Sequence, residues 1–232
     1  MLCVALWVSS AAGDDIAEEG ARARATARRI ELEWPIAPAG PVTRFIQALG
    51  ARLGRAAGEA PFPWRFTVVR NRSANAFSIG GGHIYVNEGT AFVCRNEAEV
   101  AAILAHEMGH ELAGHFRPSA GQGSWLEGVF GSRTARDEAI GSIRQTIEPR
   151  KELEADRISV EILRRAGYDP HAALSAAELL AERPDALAGH QGSGGGERLR
   201  SLENLVDGMP SGGRRDGEAF RRLRRETEPG TE

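Results

Sequence analysis

Apolar residues recur along this chain at two different spacings, and the change of spacing divides it into segments. From Asn96 onward, Val100, Leu104, Met108 and Leu112 return every four residues, which is one stripe of a helix. Asn96 can cap that helix, and Glu99 three residues later completes a capping-box pattern. Residues 64–88 behave differently. WRFTVVRN and HIYVN are rich in β-branched and aromatic residues, with AFSIGGG between them, so two or three short strands are expected. Gly80, Gly81 and Gly82 mark a turn between neighbouring strands. Upstream, residues 14–33 read as a polar helix that ends before Pro35, and 41–57 as a second helix with Pro41 at its start and Gly58 after its end. Downstream, the Gly- and Ser-rich stretch 117–135 reads as a long loop. Helices follow over 137–147 and 149–166, the latter stopped by Gly167 and Pro170, and shorter helices fill 170–225. The pattern predicts an α+β fold, a mostly helical body with a small antiparallel sheet beside the helix that follows Asn96, and a cleft between them.

Composition narrows the partners. A chain of 232 residues suffices for one domain, here placed at 13–207, with a polar tail or helix over 208–232. The net charge of -3 and a charged fraction of 26% give no reason to expect nucleic acid. No apolar run approaches the roughly 18 to 20 residues that span a bilayer, although peripheral contact with a membrane stays compatible with the composition. Residues 1–12 combine an apolar stretch with small residues at Ser10 and Ala12 ahead of Asp14 and Asp15, like the end of a secretory signal, though without the basic leader that should precede it. They are read as a signal-peptide remnant, which places the chain in the periplasm or otherwise outside the cytoplasm. If the segment is not a signal, the chain is cytoplasmic. Of the two cysteines, Cys3 lies in that remnant and Cys94 reads as a small buried residue, so no internal disulfide is expected.

The chemistry lies in AHEMGHELAGH, residues 105–115. At 100° per residue, His106 and His110 are about 40° apart on one helical face, one turn from each other. Two imidazoles so placed can reach one Zn²⁺, while Glu107 falls beside them, able to act on a water at the metal without binding it. Leu104 and Met108 lie on the opposite side, so one face can enter the core while the other presents ligands. His115 projects about 180° from His106 if the helix persists, which keeps it off the same metal. His83 in a strand and His171 after Pro170 read as structural or surface residues. A catalytic zinc takes three protein ligands, so one more is needed. RKELEADR offers Glu152 or Glu154, which point about 160° apart, with Asp156 one turn after Glu152 and able to orient a ligand imidazole. Spacing leaves the choice between Glu152 and Glu154 open, and an exposed charged helix would show the same pattern.

Three segments in order, NAFSIGGGHIYVNEG, NEAEVAAILAHEMGHELAGH and ELEADRISVEILRRAGYDP, resemble the HtpX-like and CAAX-prenyl-protease family of zinc metallopeptidases, in particular its soluble periplasmic BepA-like and mitochondrial OMA-like branch. The resemblance covers roughly residues 40–182. It implies a zincin-like domain with one Zn²⁺ per chain held by His106, His110 and Glu152, with Asp156 behind the ligands and Glu107 as the catalytic base. It further implies that Asn75, Ala76 and Phe77 begin the edge strand along which an extended substrate pairs, a mode in which the backbone supplies affinity without demanding a sequence. Relatives often carry a His-Pro segment after the third-ligand helix. This chain reads GHQGSGGGERL there, with His190 and no Pro, so that residue's role is not carried over.

These readings describe a zinc-dependent endopeptidase acting on unfolded or misfolded polypeptide in envelope protein quality control. Arg157, Tyr168 and His190 are the side chains considered as a second stabiliser of the oxyanion. Two other classes compete. One is a zinc-bound adaptor or chaperone that grips unfolded chains without cleaving them, its cleft plugged by 117–135 through Trp125, Leu126, Val129 and Phe130. The other is a structural zinc domain, which usually needs four protein ligands and finds only Cys94 as an extra thiol.

Overall fold

A computed structural model describes residues 10–116, 148–183 and 195–227. The expectations for the leader before Ser10, for the loop at 117–135 and the helix at 137–147, and for His190 lie outside the described residues. Helix α1 spans Ser10–Glu33, so Ser10 and Ala12 of the expected leader belong to its first turn. Helix α2 covers Pro41–Ala57, with Pro41 in the first turn and Gly58 beyond the last. Three strands follow, β1 (Arg65–Val69), β2 (Ala76–Ser78) and β3 (His83–Asn87). A short helix not anticipated from the sequence, α3 (Glu88–Val93), leads into α4 (Glu97–Leu112). Helices α5 (Pro149–Arg165), α6 (Ala172–Ala181), α7 (Gly195–Val206) and α8 (Glu218–Thr227) complete the described part. Among the described residues no helix is long and apolar enough to cross a membrane.

The fold is α+β as expected, but its sheet is mixed rather than purely antiparallel. The strand order is β1-β3-β2, with β1 parallel to β3 and β2 antiparallel to it. The reason is the connection between β1 and β2. Residues 70–75 can span two strand spacings, roughly 9.5 Å, and so leave a slot that β3 fills after the glycine turn. A local pattern reports strands but not which gap a later strand will occupy.

Side-chain alternation gives the sheet two apolar faces. Phe66, Val68, Ile84 and Val86 enter the main core with α2, α4 and α5, whereas Val69, Phe77 and Tyr85 meet Ala27, Ile30 and Trp34 of α1 on the other face. Helix α4 runs through the middle. Every residue from Glu97 to Glu111 is buried, so the face carrying the histidines is covered as well as the apolar stripe. Its start is capped as predicted, Asn96 accepting from Glu99 N at 3.0 Å. The return bond of the capping box is displaced by one residue, since Glu99 accepts from Arg95 N rather than Asn96 N, and Ser175 Oγ ties the same carboxylate to α6.

The segment 208–232, read from its sequence as a polar tail or helix, contains α8, and a polar helix exposes its whole surface to solvent. One face of α8 is covered instead. Phe220 and Leu223 of α8 are buried, and the Phe220 ring lies 5.6 Å from that of Phe45 on α2. Arg224 of the same helix donates to Cys94 O at 2.8 Å. Cys94 itself is fully buried, and burial pushes its thiol up.

Candidate metal centre

Helix α4 packs more extensively against α5 than any other pair of elements does. Gly109, between the two histidines of the motif, makes that approach possible. A Cβ built on it would lie 2.5 Å from Ala155 O, so only hydrogen fits. The close crossing lays Glu152 and Asp156, one turn apart on α5, over His106 and His110, one turn apart on α4.

The distances between the facing atoms define a small polyhedron. His106 Nε2 is 3.1 Å from His110 Nε2 and 3.3 Å from Glu152 Oε2, and His110 Nε2 is 3.4 Å from Glu152 Oε1. Among the described residues these three form a group whose ligand atoms lie within 4.8 Å of one another. Ligands about 2.0 to 2.1 Å from a tetrahedral zinc stand roughly 3.3 Å apart, so the residues fit that ion. The charges fit as well. Among the described residues Glu152 and Asp156 meet one guanidinium, Arg198, which also lies within the field of Glu107, so with neutral imidazoles the cluster stays acidic enough to suit a divalent cation.

Arg198 lies on α7 and was not singled out from the sequence. Its Nε and Nη2 donate to the two oxygens of Asp156 at 2.8 and 2.7 Å, and Nη1 approaches Glu152 Oε2 at 3.2 Å. The same Asp156 Oδ1 is 2.8 Å from His106 Nδ1. The 3.1 Å separation of Arg198 Nη2 and His106 Nδ1 therefore reflects two donors converging on one acceptor. With its Nδ1–H given to Asp156, His106 turns Nε2 toward His110 and Glu152. Burial would raise Glu152, but the two histidines facing it and the Arg198 charge hold it well below the usual carboxylate range. Asp156 is likewise depressed against its burial, mainly by Arg198.

Glu107 sits next to this group with its carboxylate hydrogen-bonded by Ser78 Oγ at 3.2 Å. Asn75 and Ala76 line a pocket together with His106, Glu107, Ile103 and Leu180. Phe77 does not face it. Its ring is buried on the opposite side of the sheet, stacked 5.2 Å from Tyr85. Glu154 points away from Glu152, as its position on the helix requires, and meets His115 instead. His115, which helical counting kept off the metal, is not part of the three-residue group, but its Nδ1 lies 2.9 Å from that of His110. Neither side chain considered for the oxyanion within the described residues lines the pocket with Glu107. Tyr168 donates its hydroxyl to Glu97 at 2.5 Å, and Arg157 is exposed. The guanidinium that does line it is Arg198. No periodicity could have announced Arg198, since it comes from a different helix and its partners are 42 and 46 positions away.

Known proteins share this arrangement of sequence. The chain is 28% identical to the beta-barrel assembly-enhancing protease of Yersinia pestis over 169 residues, covering 61% of this chain and 33% of that protein. It is 28% identical to the mitochondrial metalloendopeptidase OMA1 of Schizosaccharomyces pombe over 161 residues, or 66% of this chain and 47% of the relative. The chain thus spans about a third to a half of the length of these relatives. Residues 42–206, which include every residue of the polyhedron, match the peptidase family M48 as a whole. On that match the chain belongs to peptidase family M48, a family of metallopeptidases.

Proposed function

We propose that this chain is a zinc-dependent endopeptidase, with His106, His110 and Glu152 holding one Zn²⁺ and Glu107 acting as general base. The observation that carries the reading is the convergence of two imidazole nitrogens and a carboxylate on a space of zinc dimensions, with a further carboxylate alongside. Bound there, zinc supplies a Lewis acid that acidifies water and polarises a carbonyl. The chain's own groups do the rest. Glu107, oriented by Ser78, takes the proton of the attacking water and returns it to the leaving amine. Asp156 keeps His106 in the tautomer that presents Nε2, and Arg198 holds Asp156 in place.

Substrate binding is assigned to Asn75, Ala76 and Phe77, at the start of β2 and along it, β2 being an edge of the described sheet. The Nδ2 of Asn75 is buried at the pocket and has no hydrogen-bond partner among the described residues, which suits a donor kept for a substrate carbonyl. The Phe77 side chain contributes by packing, not by contact with substrate. An edge that reads backbone favours extended, unfolded polypeptide. Protein quality control outside the cytoplasm is the setting that the N-terminal segment and the assembly-enhancing relatives favour. The catalytic unit is placed at 13–207, with α8 as a packed appendage.

Metal dependence tests the reading. Cleavage of fluorescently labelled casein should stop after zinc is removed with a chelator and return on addition of stoichiometric Zn²⁺. Cleavage that survives complete removal of metal would exclude a metallopeptidase mechanism.

A further inference from the structure

Helix α4 stops shortly after its second histidine, and the way it stops has consequences for that histidine. Leu112 is the last helical residue. Gly114 then adopts φ 68°, the left-handed region that a residue with a Cβ enters only at a cost, and His115 N reaches back to His110 O at 3.0 Å. The reversal brings the His115 side chain beneath His110 instead of carrying it around another turn. There it is almost completely buried, at 6% exposure, with the two rings 5.0 Å apart.

The polar atoms of the pair are specific about protons. His110 Nδ1 is 2.9 Å from His115 Nδ1, and His115 Nε2 is 3.3 Å from Glu154 Oε2. An imidazole that offers Nε2 to a metal carries its hydrogen on Nδ1. His110 therefore donates to His115 Nδ1, which must be bare. The single hydrogen of a neutral His115 is then on Nε2, directed at the Glu154 carboxylate. One assignment satisfies both contacts, and it is the one that a ligand role for His110 requires.

We infer that His115 and Glu154 are positioning residues, a hydrogen-bonded chain that fixes the ring and tautomer of His110 as Asp156 does for His106. The inference rests on the reading of His110 as a metal ligand. It gives the two ligand histidines different supports. His106 leans on a buried carboxylate neutralised by Arg198, whereas His110 leans on a neutral imidazole with a half-exposed carboxylate behind it. Glu154, set aside as a ligand because it points away from Glu152, gains a role through that same direction.

The test is the rate at which zinc leaves the full-length, zinc-loaded protein for excess 4-(2-pyridylazo)resorcinol. Groups that orient metal ligands typically change affinity by 10- to 100-fold, so His115→Phe, which fills the space without an acceptor, should release zinc roughly 10 to 100 times faster than wild type. His115→Asn places an amide oxygen near the Nδ1 position and should restore the rate to within a few-fold, a rescue that mere packing would not give. The visible spectrum of the cobalt-substituted protein should shift in His115→Phe and return in His115→Asn. Equal release by wild type and His115→Phe overturns the inference while leaving the metal site intact. A wild-type chain that holds no zinc overturns the underlying reading of His110 as well. If His115→Phe does not fold, Glu154→Leu at its exposed position decides instead: faster release supports the chain, and an unchanged rate overturns it.

Discussion

Arg198 shows how much of this site depends on a single buried charge. Its guanidinium satisfies both oxygens of Asp156 and touches Glu152, all three side chains being largely withdrawn from water. Removing it leaves two buried carboxylates without their guanidinium, and breaking a buried ion pair in this way costs about 3 to 5 kcal/mol. Arg198→Met should therefore lower the unfolding free energy of the zinc-free protein by about that amount at neutral pH. The pH dependence has a definite sign. Asp156 is depressed in the folded protein, so its stabilisation is present above the ordinary aspartate value of about 3.9 and is lost as pH falls through the lower folded value. In the variant that depression goes, and protonation relieves the stranded carboxylate. The deficit against wild type should thus narrow as pH falls from 7 toward 4 in denaturant titrations, whereas a deficit that stays constant over that range would mean lost packing rather than charge. None of this was visible in sequence, because a buried arginine has no spacing signature. His115 was visible, but the count that kept it off the metal did not reveal its contact with His110. Counting 100° per residue assumes that the helix continues, and Gly114 was the one local signal that it does not.

At the scale of elements, the site depends on the approach of α4 to α5. The sequence made both helices legible, with Asn96 and Pro149 at their starts. It also showed two pairs of ligand-type residues, each one turn apart. It did not show that the pairs would face each other; the resemblance to known metallopeptidases supplied that, and Gly109 supplies the physical means. Gly109→Ala would drive a methyl into the Ala155 carbonyl and push the helices apart. Overpacking of this kind costs about 1 to 3 kcal/mol. The account predicts that loss in chemical denaturation, together with weaker zinc binding in chelator competition, since Glu152 moves with α5. Unchanged zinc affinity in a destabilised Gly109→Ala protein would show that the ligands adapt to the wider spacing. The sheet teaches the complementary lesson. Each strand was legible from its own residues, but the β1-β3-β2 order was not, because the slot is created by the 70–75 connection and filled only later.

For the molecule as a whole, the described helices from α2 onward and one face of the sheet form a continuous core around α4 that reaches to α8. The tail looked solvated because its composition is dominated by charge, yet Phe220 and Leu223 are enough to dock one face of α8, while Arg222 pairs with Glu226 on the other. Helix α1 closes the outer face of the sheet with Ala27, Ile30 and Trp34, and its Glu19 accepts from Gly81 N beside the glycine turn. That turn also gives two N–H groups to Glu111 at the end of α4. The candidate metal centre is therefore held in place from several directions, a preorganised arrangement that suits proton transfer by a fixed base. The most direct test of the account is casein hydrolysis by the Glu107→Gln variant, with its zinc content determined in parallel. General-base catalysis contributes roughly 10² to 10⁴ in rate, so the account predicts hydrolysis reduced by at least that factor with one zinc per chain retained. Cleavage at the wild-type rate with the metal in place would contradict it.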